Sequence, residues 1–66
     1  MSMEDKAWLE QLSADVLRRR LAAARFRRQE ALDMGDMFRA EVNRQLEAIY
    51  AGELEWREIR RKGEKA

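Results

Sequence analysis

Seven positions between residues 38 and 59 follow an unbroken alternation of four- and three-residue steps. They are Phe38, Val42, Gln45, Ile49, Gly52, Trp56 and Ile59. This spacing is typical of the a and d positions of a coiled-coil helix, where large apolar side chains meet a neighbouring helix. The phase does not slip at Gly52, so the spacing predicts one continuous helix there. Glycine lowers helix propensity, and its presence in this pattern favours close approach of another helix.

The N-terminal half carries two apolar sides instead of one. One side holds Trp8, Leu9, Leu12, Val16, Ala23 and Phe26, and the other holds Leu17, Leu21, Ala24 and Leu32. A helix in a simple two-helix hairpin needs only one apolar stripe. Two interpretations remain open. The second stripe completes a homodimeric four-helix bundle, or it contacts a different protein.

Glycines and capping residues in the sequence predict two helices, over about 3–33 and 37–62, a turn at about 34–36 and a charged tail at 63–66. Gly35 can adopt the left-handed conformation that ends a helix, and Asp36 can then cap the next one. Ser2 is the expected cap of the first helix. Gly63 is the expected end of the second helix.

Composition favours an all-α fold, because Arg, Glu, Leu, Ala, Gln and Met dominate and are good helix formers. With 66 residues, the chain is expected to be one domain over 1–66, an antiparallel two-helix hairpin. Two helices touching along one stripe bury little apolar surface, so we expect dimerisation or a partner protein to complete the hairpin as a four-helix bundle.

The side-chain inventory argues against catalysis. The chain has no His and no Cys, which removes the commonest general base, nucleophile and zinc ligands. We therefore expect no enzymatic activity, no catalytic residue, no metal and no cofactor.

The acidic N-terminus lacks the apolar core of a secretory signal, and no apolar run is long enough to span a bilayer. A cytoplasmic protein without a membrane partner is the expectation.

Six arginines dominate the segment 18–28 and could contact phosphates. They are Arg18, Arg19, Arg20, Arg25, Arg27 and Arg28. At about 100° per residue, however, they point to several sides of a helix, whereas tracking a phosphate backbone would need one face. Asp15, Glu30 and Asp33 flank the segment and can pair with it. A dimeric nucleic-acid-binding regulator is therefore the alternative function, and salt bridging within a helical assembly is favoured.

The preferred function is a non-enzymatic protein–protein interaction module: an adaptor, inhibitor, assembly factor or co-chaperone. Its expected partner is a second copy of the chain, another protein, or both. The expected interface residues are Trp8, Leu12, Val16, Leu17, Leu21, Phe38, Val42, Ile49, Trp56 and Ile59. In an antiparallel hairpin turning at Gly35, residue i faces roughly residue 70 − i. This rule places both tryptophans at the open end, with Trp8 near residue 62.

The order of features over residues 17–59 resembles the small two-helix co-chaperones of the type III secretion needle subunit. The matching pieces are Leu17-Arg18-Arg19-Arg20-Leu21, Ala22-Ala23-Ala24, Leu32 three residues before Gly35, and Phe38 at the start of the second helix. The turn from Gly35 to Phe38 is shorter than in those proteins, and the second helix ends in a charged Trp56-Arg57-Glu58 segment. The resemblance implies a partner of a larger chaperone that keeps an aggregation-prone subunit soluble.

Overall fold

The computed structural model describes residues 7–65, and these residues form three helices. They are α1 (Ala7–Glu10), α2 (Ala14–Asp33) and α3 (Met37–Lys65). Helices α2 and α3 pack against each other as a helical hairpin, and α1 contacts α3 at the open end. No strand occurs within this part of the chain. The all-helical hairpin predicted from the sequence is confirmed.

The single helix predicted over 3–33 is wrong, because the chain breaks between Glu10 and Ala14. Ser13 has an extended backbone (φ −68°, ψ 159°), and its side chain accepts a hydrogen bond from the Val16 N–H at 3.2 Å. A serine that satisfies one of the first backbone donors starts a new helix instead of continuing the previous one. The part of the predicted helix over residues 3–6 lies outside the described residues, and so does the predicted cap, Ser2.

The turn between α2 and α3 is closed by hydrogen bonds on both sides of Gly35. The Asp36 N–H donates to the Ala31 carbonyl at 2.8 Å, and the Gly35 N–H donates to the Leu32 carbonyl at 3.1 Å. Gly35 has a φ of +76°, as its position predicted. This pair of bonds with a left-handed glycine is the Schellman motif. Asp36 then caps α3, as predicted, because its Oδ1 accepts the Arg39 N–H at 3.0 Å.

Helix α3 runs through two glycines without interruption. It passes Gly52, which confirms the continuous helix predicted from the spacing. It also passes Gly63 and reaches Lys65, so the predicted end at Gly63 is wrong. Gly35 is the only described glycine with a positive φ. Gly63 therefore keeps a helical backbone and does not form the left-handed stop that ends α2.

The core is concentrated at the open end of the hairpin. Leu9 of α1, Leu17 of α2 and Tyr50 of α3 form its buried cluster. Partly buried side chains surround it: Leu12, Leu21, Leu46, Ile49 and Leu54. Nearer the turn, the buried apolar residues are the alanines Ala31 and Ala40. The helices therefore meet through small residues at the turn and through larger side chains at the open end.

Candidate protein-interaction surface

Helix α3 has two faces that run along its whole length. The inner face packs toward the rest of the chain through Ala40, Asn43, Glu47, Tyr50, Leu54 and Arg57, which are buried or partly buried. The seven positions of the coiled-coil pattern lie about 160° around the helix from that face, at about 100° per residue. We call these seven positions, from Phe38 to Ile59, the outer seam. The hairpin therefore packs through one face of α3 and leaves the outer seam on the opposite side.

The outer seam exposes large apolar side chains. Phe38 is 82% exposed, Trp56 is 56% exposed and Ile59 is 54% exposed. Val42 is also exposed, whereas Ile49 is half-buried and packs against the core cluster. The seam spans 22 residues, or about 32 Å of helix. An apolar stripe of this length on a helix is typical of a surface that contacts another helix.

Gly52 lies in the seam with open space around it. A Cβ placed on Gly52 would meet no atom within 4 Å. The close approach that the sequence favours at this glycine therefore does not come from the helices of the same chain. The position stays available to a helix from outside the hairpin.

Charged side chains form pairs along α3, and one of them, Glu41, borders the outer seam. Arg44 donates two hydrogen bonds to Glu41, at 2.6 and 2.9 Å, and Arg61 donates one to Glu58 at 2.6 Å. The bonds from Arg44, with a further one from Gln45, lower the pKa of Glu41 from 4.5 to about 2. The hydrogen bond from Arg61 likewise lowers the pKa of Glu58. Both carboxylates are therefore fully ionised at neutral pH.

Arg57 ties α1 to α3, a role that sequence reasoning missed. Its Nη2 donates to the carbonyl oxygens of Leu9 and Glu10, both at 3.1 Å. Its Nε donates to Glu53 Oε1 at 3.0 Å. A cation at the C-terminal end of a helix satisfies carbonyls that have no partner within the helix. The four-residue spacing of Glu53 and Arg57 signals their pairing, but nothing in the sequence signals the contact with α1.

The predicted interface residues of the N-terminal half divide between the core and the surface. Leu17 is fully buried, and Leu21 and Leu12 pack against the core cluster, so all three stabilise the hairpin itself. Val16 is half-buried. Trp8 remains 44% exposed and packs edge-on against Tyr50, with ring centroids 6.4 Å apart. Its predicted place near residue 62 is wrong, because the break before Ser13 turns α1 across α3.

The arginine segment is split by its ion pairs. Arg18 pairs with Asp15 at 3.1 Å, within α2. Arg25 and Arg28 both contact Glu47 of α3, at 3.6 and 2.9 Å, and the Glu47 side chain is only 13% exposed. The Arg28 N–H is not directed at the carboxylate oxygen, so this contact is an ion pair without a hydrogen bond. Three of the six arginines therefore neutralise carboxylates of the hairpin.

The other three arginines, Arg19, Arg20 and Arg27, have no described carboxylate within 4.0 Å. Two of them border a groove of about 320 Å³ between α2 and α3. Its lining residues are Arg20, Ala23, Ala24, Arg27, Asn43, Leu46 and Tyr50. Arg19 is exposed and does not line this groove. The arginines without a described carboxylate partner therefore do not converge on one surface.

Further apolar side chains are exposed outside the outer seam. Phe26 projects from α2 with 69% exposure, and Met34 and Met37 are exposed at the turn. The turn residues adjoin Phe38, so the apolar surface of the outer seam continues around the closed end of the hairpin. Methionine side chains adapt to irregular apolar partners. Phe26 stands apart from this surface because it lies on the other helix.

Among the side chains that the structure describes, from residue 7 to residue 63, no group of three acidic residues is placed to hold a metal ion. No helix of that part of the chain is both long enough and apolar enough to cross a bilayer. Comparisons with protein-family models, with curated proteins and with solved structures find no match to this chain.

Proposed function

We propose that the protein is a non-enzymatic protein–protein interaction module that receives a helix on its outer seam. The observation that carries this proposal is the exposure of four large apolar side chains at coiled-coil spacing on the face of α3 away from α2, namely Phe38, Val42, Trp56 and Ile59. Burying such side chains against a partner contributes about 25 cal/mol per Å² of apolar surface. The buried apolar stripe supplies affinity, and the charged residues beside it select the partner and its orientation.

The added helix packs on the far side of α3 from α2. The four-helix assembly expected from the sequence is then completed by a second hairpin, either a copy or a different protein, joined through α3. Adaptors, inhibitors, assembly factors and co-chaperones all use helix-in-groove or helix-on-helix contacts of this kind. The outer seam supports the helix-to-helix binding that these four classes of protein have in common. Which of the four roles the protein has depends on its partner.

A pair of matched substitutions tests the proposal. The double substitution Trp56→Asp and Ile59→Asp places charges on the outer seam, and Phe26→Asp places one on an exposed aromatic of α2 outside the seam. We expect the seam variant to lose association, measured by light scattering and by native mass spectrometry of the protein isolated from its host. The Phe26 variant keeps it, and circular dichroism shows that both remain helical. Equal association of the two variants, or a wild-type chain that binds neither itself nor another protein, would overturn the proposal.

The alternative is a dimeric nucleic-acid-binding regulator that uses the arginine segment. Its specific support is the groove bordered by Arg20 and Arg27, which have no described carboxylate within 4.0 Å. This function requires binding that weakens steeply as salt rises. It also requires that Arg20→Gln with Arg27→Gln weakens binding more than Arg18→Gln with Arg25→Gln, because the latter arginines face carboxylates. The ion pairs made by half of the segment make the interaction module the better supported function.

A further inference from the structure

We infer that the helix received by the outer seam is α3 of a second copy of this chain, aligned parallel and in register. This inference rests on the proposed function and adds the identity and direction of the partner. Three observations support it: the charges that border the outer seam, the polar residue within it, and the position of α2.

The bordering charges complement each other only in some alignments. Glu55 precedes the seam residue Trp56, and Arg60 follows the seam residue Ile59. In a parallel coiled coil, the residue just before an a position of one helix contacts the residue five places further along the other helix, which lies just after a d position. Glu55 of each copy therefore meets Arg60 of the other, which gives two attractive pairs. The remaining contacts of this type join Glu41 with Leu46 and Ala48 with Glu53, so no like charges meet.

In an antiparallel pair, each border of the outer seam contacts the same border of the second copy. When Val42 is aligned with Ile59 of the second copy, Arg39 faces Arg60 in two like-charge pairs and Glu41 faces Lys62 in two opposite-charge pairs, so the border charges give no net attraction. Like charges at this position disfavour an assembly and discriminate against the wrong alignment. The border charges therefore favour the parallel arrangement.

Gln45 is the polar position in the seam, and it further distinguishes the alignments. In register, the two Gln45 amides face each other, and each has both a donor and an acceptor to offer. A single buried polar residue at an a position specifies register in coiled coils, and the paired amides of Gln45, which lies at a d position, favour the in-register alignment by the same physical cause, since any other alignment leaves them facing apolar side chains. An antiparallel copy places Gln45 against Trp56, which cannot satisfy both amide groups. In the single chain Gln45 is exposed and donates only to Glu41, at 3.4 Å, so little is lost when it turns inward.

The shape of the hairpin permits this assembly. Helix α2 lies about 160° from the outer seam, so the two α2 helices stand on the outer sides of the paired α3 helices. The layer at Gly52 brings two glycines together, and the neighbouring Trp56 side chains are large enough to cover the space beside them. The seam covers about three heptads, a length typical of stable helix pairing.

The absence of cysteine permits a direct test of alignment. Gln45→Cys and Ile59→Cys are each made alone in the full chain and treated with a short bismaleimide cross-linker. In the parallel arrangement, each variant links to its own copy, since residue 45 faces residue 45 and residue 59 faces residue 59. Ala22→Cys, on the exposed side of α2, is the control and stays unlinked. Ile59→Cys leaves the Gln45 layer intact, so its result stands if the Gln45 variant no longer associates.

The alternative outcomes overturn the inference in distinguishable ways. An antiparallel dimer leaves both single variants unlinked but links a mixture of Gln45→Cys and Trp56→Cys chains. A chain that is monomeric by light scattering and unlinked, yet binds a host protein through the outer seam, overturns the second copy and leaves the proposed function in place. A chain that does neither overturns both.

A charge exchange tests the Glu55–Arg60 contact independently. Glu55→Arg or Arg60→Glu alone is expected to weaken dimerisation about tenfold, because two exposed pairs become repulsive. The double variant restores it. Glu58→Arg with Arg61→Glu, which exchanges a pair within one helix, leaves dimerisation unchanged. Failure of the double variant to restore the dimer would contradict the parallel alignment.

Discussion

The two faces of α3 differ from those expected of a hairpin that acts alone, in which polar side chains face solvent and large apolar side chains face the other helix. The inner face, which packs against α1 and α2, includes Asn43, Glu47 and Arg57, whereas the outer seam exposes Phe38 and Trp56. Each inner polar side chain has a partner: Asn43 donates to the Arg39 carbonyl, Glu47 faces two arginines, and Arg57 holds α1. Packing within the chain therefore uses small residues and polar groups that are paired by hydrogen bonds or, at Glu47, by ion pairs alone.

This difference teaches that hydrophobicity alone does not identify the face used for folding. Apart from Ile49, the large apolar side chains of the outer seam are exposed, so their coiled-coil spacing points to a contact outside the chain. Changes on the inner face should lower the free energy of unfolding of the hairpin. Changes on the outer face should alter association and leave the folded hairpin intact.

The largest expected effect comes from Leu17, the fully buried side chain at the centre of the core. Leu17→Ala is expected to lower the free energy of unfolding by about 2–5 kcal/mol, because it removes buried methyl groups and leaves a cavity. Phe26→Ala, a larger truncation at an exposed position of α2, should change it by less than about 0.5 kcal/mol. Urea unfolding followed by circular dichroism measures both. Equal losses would contradict the placement of Leu17 in the core and of Phe26 on the surface of α2.

A smaller effect is expected at Arg57, which satisfies the last carbonyls of α1. Arg57→Met keeps the length of the side chain but removes its donors, and should lower the free energy of unfolding by about 1–3 kcal/mol. Hydrogen exchange should show faster exchange at the N–H groups of Gln11 and Leu12, which donate to carbonyls of α1, with a smaller change in α2. Arg61→Met removes an exposed pair and is the control, with a change below about 1 kcal/mol. If the Gln11 and Leu12 N–H groups keep their protection in Arg57→Met, Arg57 does not hold α1 in place.

The two glycines Gly52 and Gly35 should respond to alanine with opposite signs. Gly52→Ala should raise the free energy of unfolding by about 1 kcal/mol, because alanine favours the helix and its Cβ meets nothing within 4 Å. Gly35→Ala should lower it by about 1–2 kcal/mol, because alanine is strained at a φ of +76°. Thermal unfolding at a protein concentration too low for dimerisation compares the two, because association through the outer seam would also shift the midpoint. If both substitutions changed the free energy of unfolding in the same direction, the difference in backbone conformation between Gly35 and Gly52 would not explain their effects.

The smallest expected effect is that of acid on the outer border of α3. The pKa of Glu41 is lowered from 4.5 to about 2, so its contribution is fully present above pH 4.5 and is lost as the pH falls toward 2. Helicity measured by circular dichroism should decline over that window. Glu41→Gln removes the carboxylate and should reduce the decline. An unchanged acid titration of this variant would contradict the role of the pair with Arg44.

Local signals in the sequence predicted the turn correctly. Gly35 and Asp36 act on their own neighbours, so their residue types were sufficient to place a helix end and a cap. Gly52 was placed within a helix because the periodicity on both sides of it kept one phase. Ser13 was missed as a cap, since Leu12 and Val16 continue the apolar period across it. The signal was present: a serine followed by Asp15 in the first turn of a helix.

Contacts between distant residues could not be predicted in the same way. The sequence identifies the outer seam as a contact surface but does not say whether α2 or another chain covers it. The inner face was missed because Ala40, Asn43 and Glu47 carry no apolar signature. The pairing of Arg25 and Arg28 with Glu47 also required the two helices to be aligned in space first.

The short turn at Gly35 has a consequence for the order in which the chain folds. Because α2 and α3 are joined directly, their contacts near the turn close small loops, and pairing can extend from there toward the open end. The contact between Arg57 and the end of α1 instead joins residues 47 and 48 positions apart. Its closure carries the larger entropic cost, so we expect this tie to form after the hairpin and to open before it.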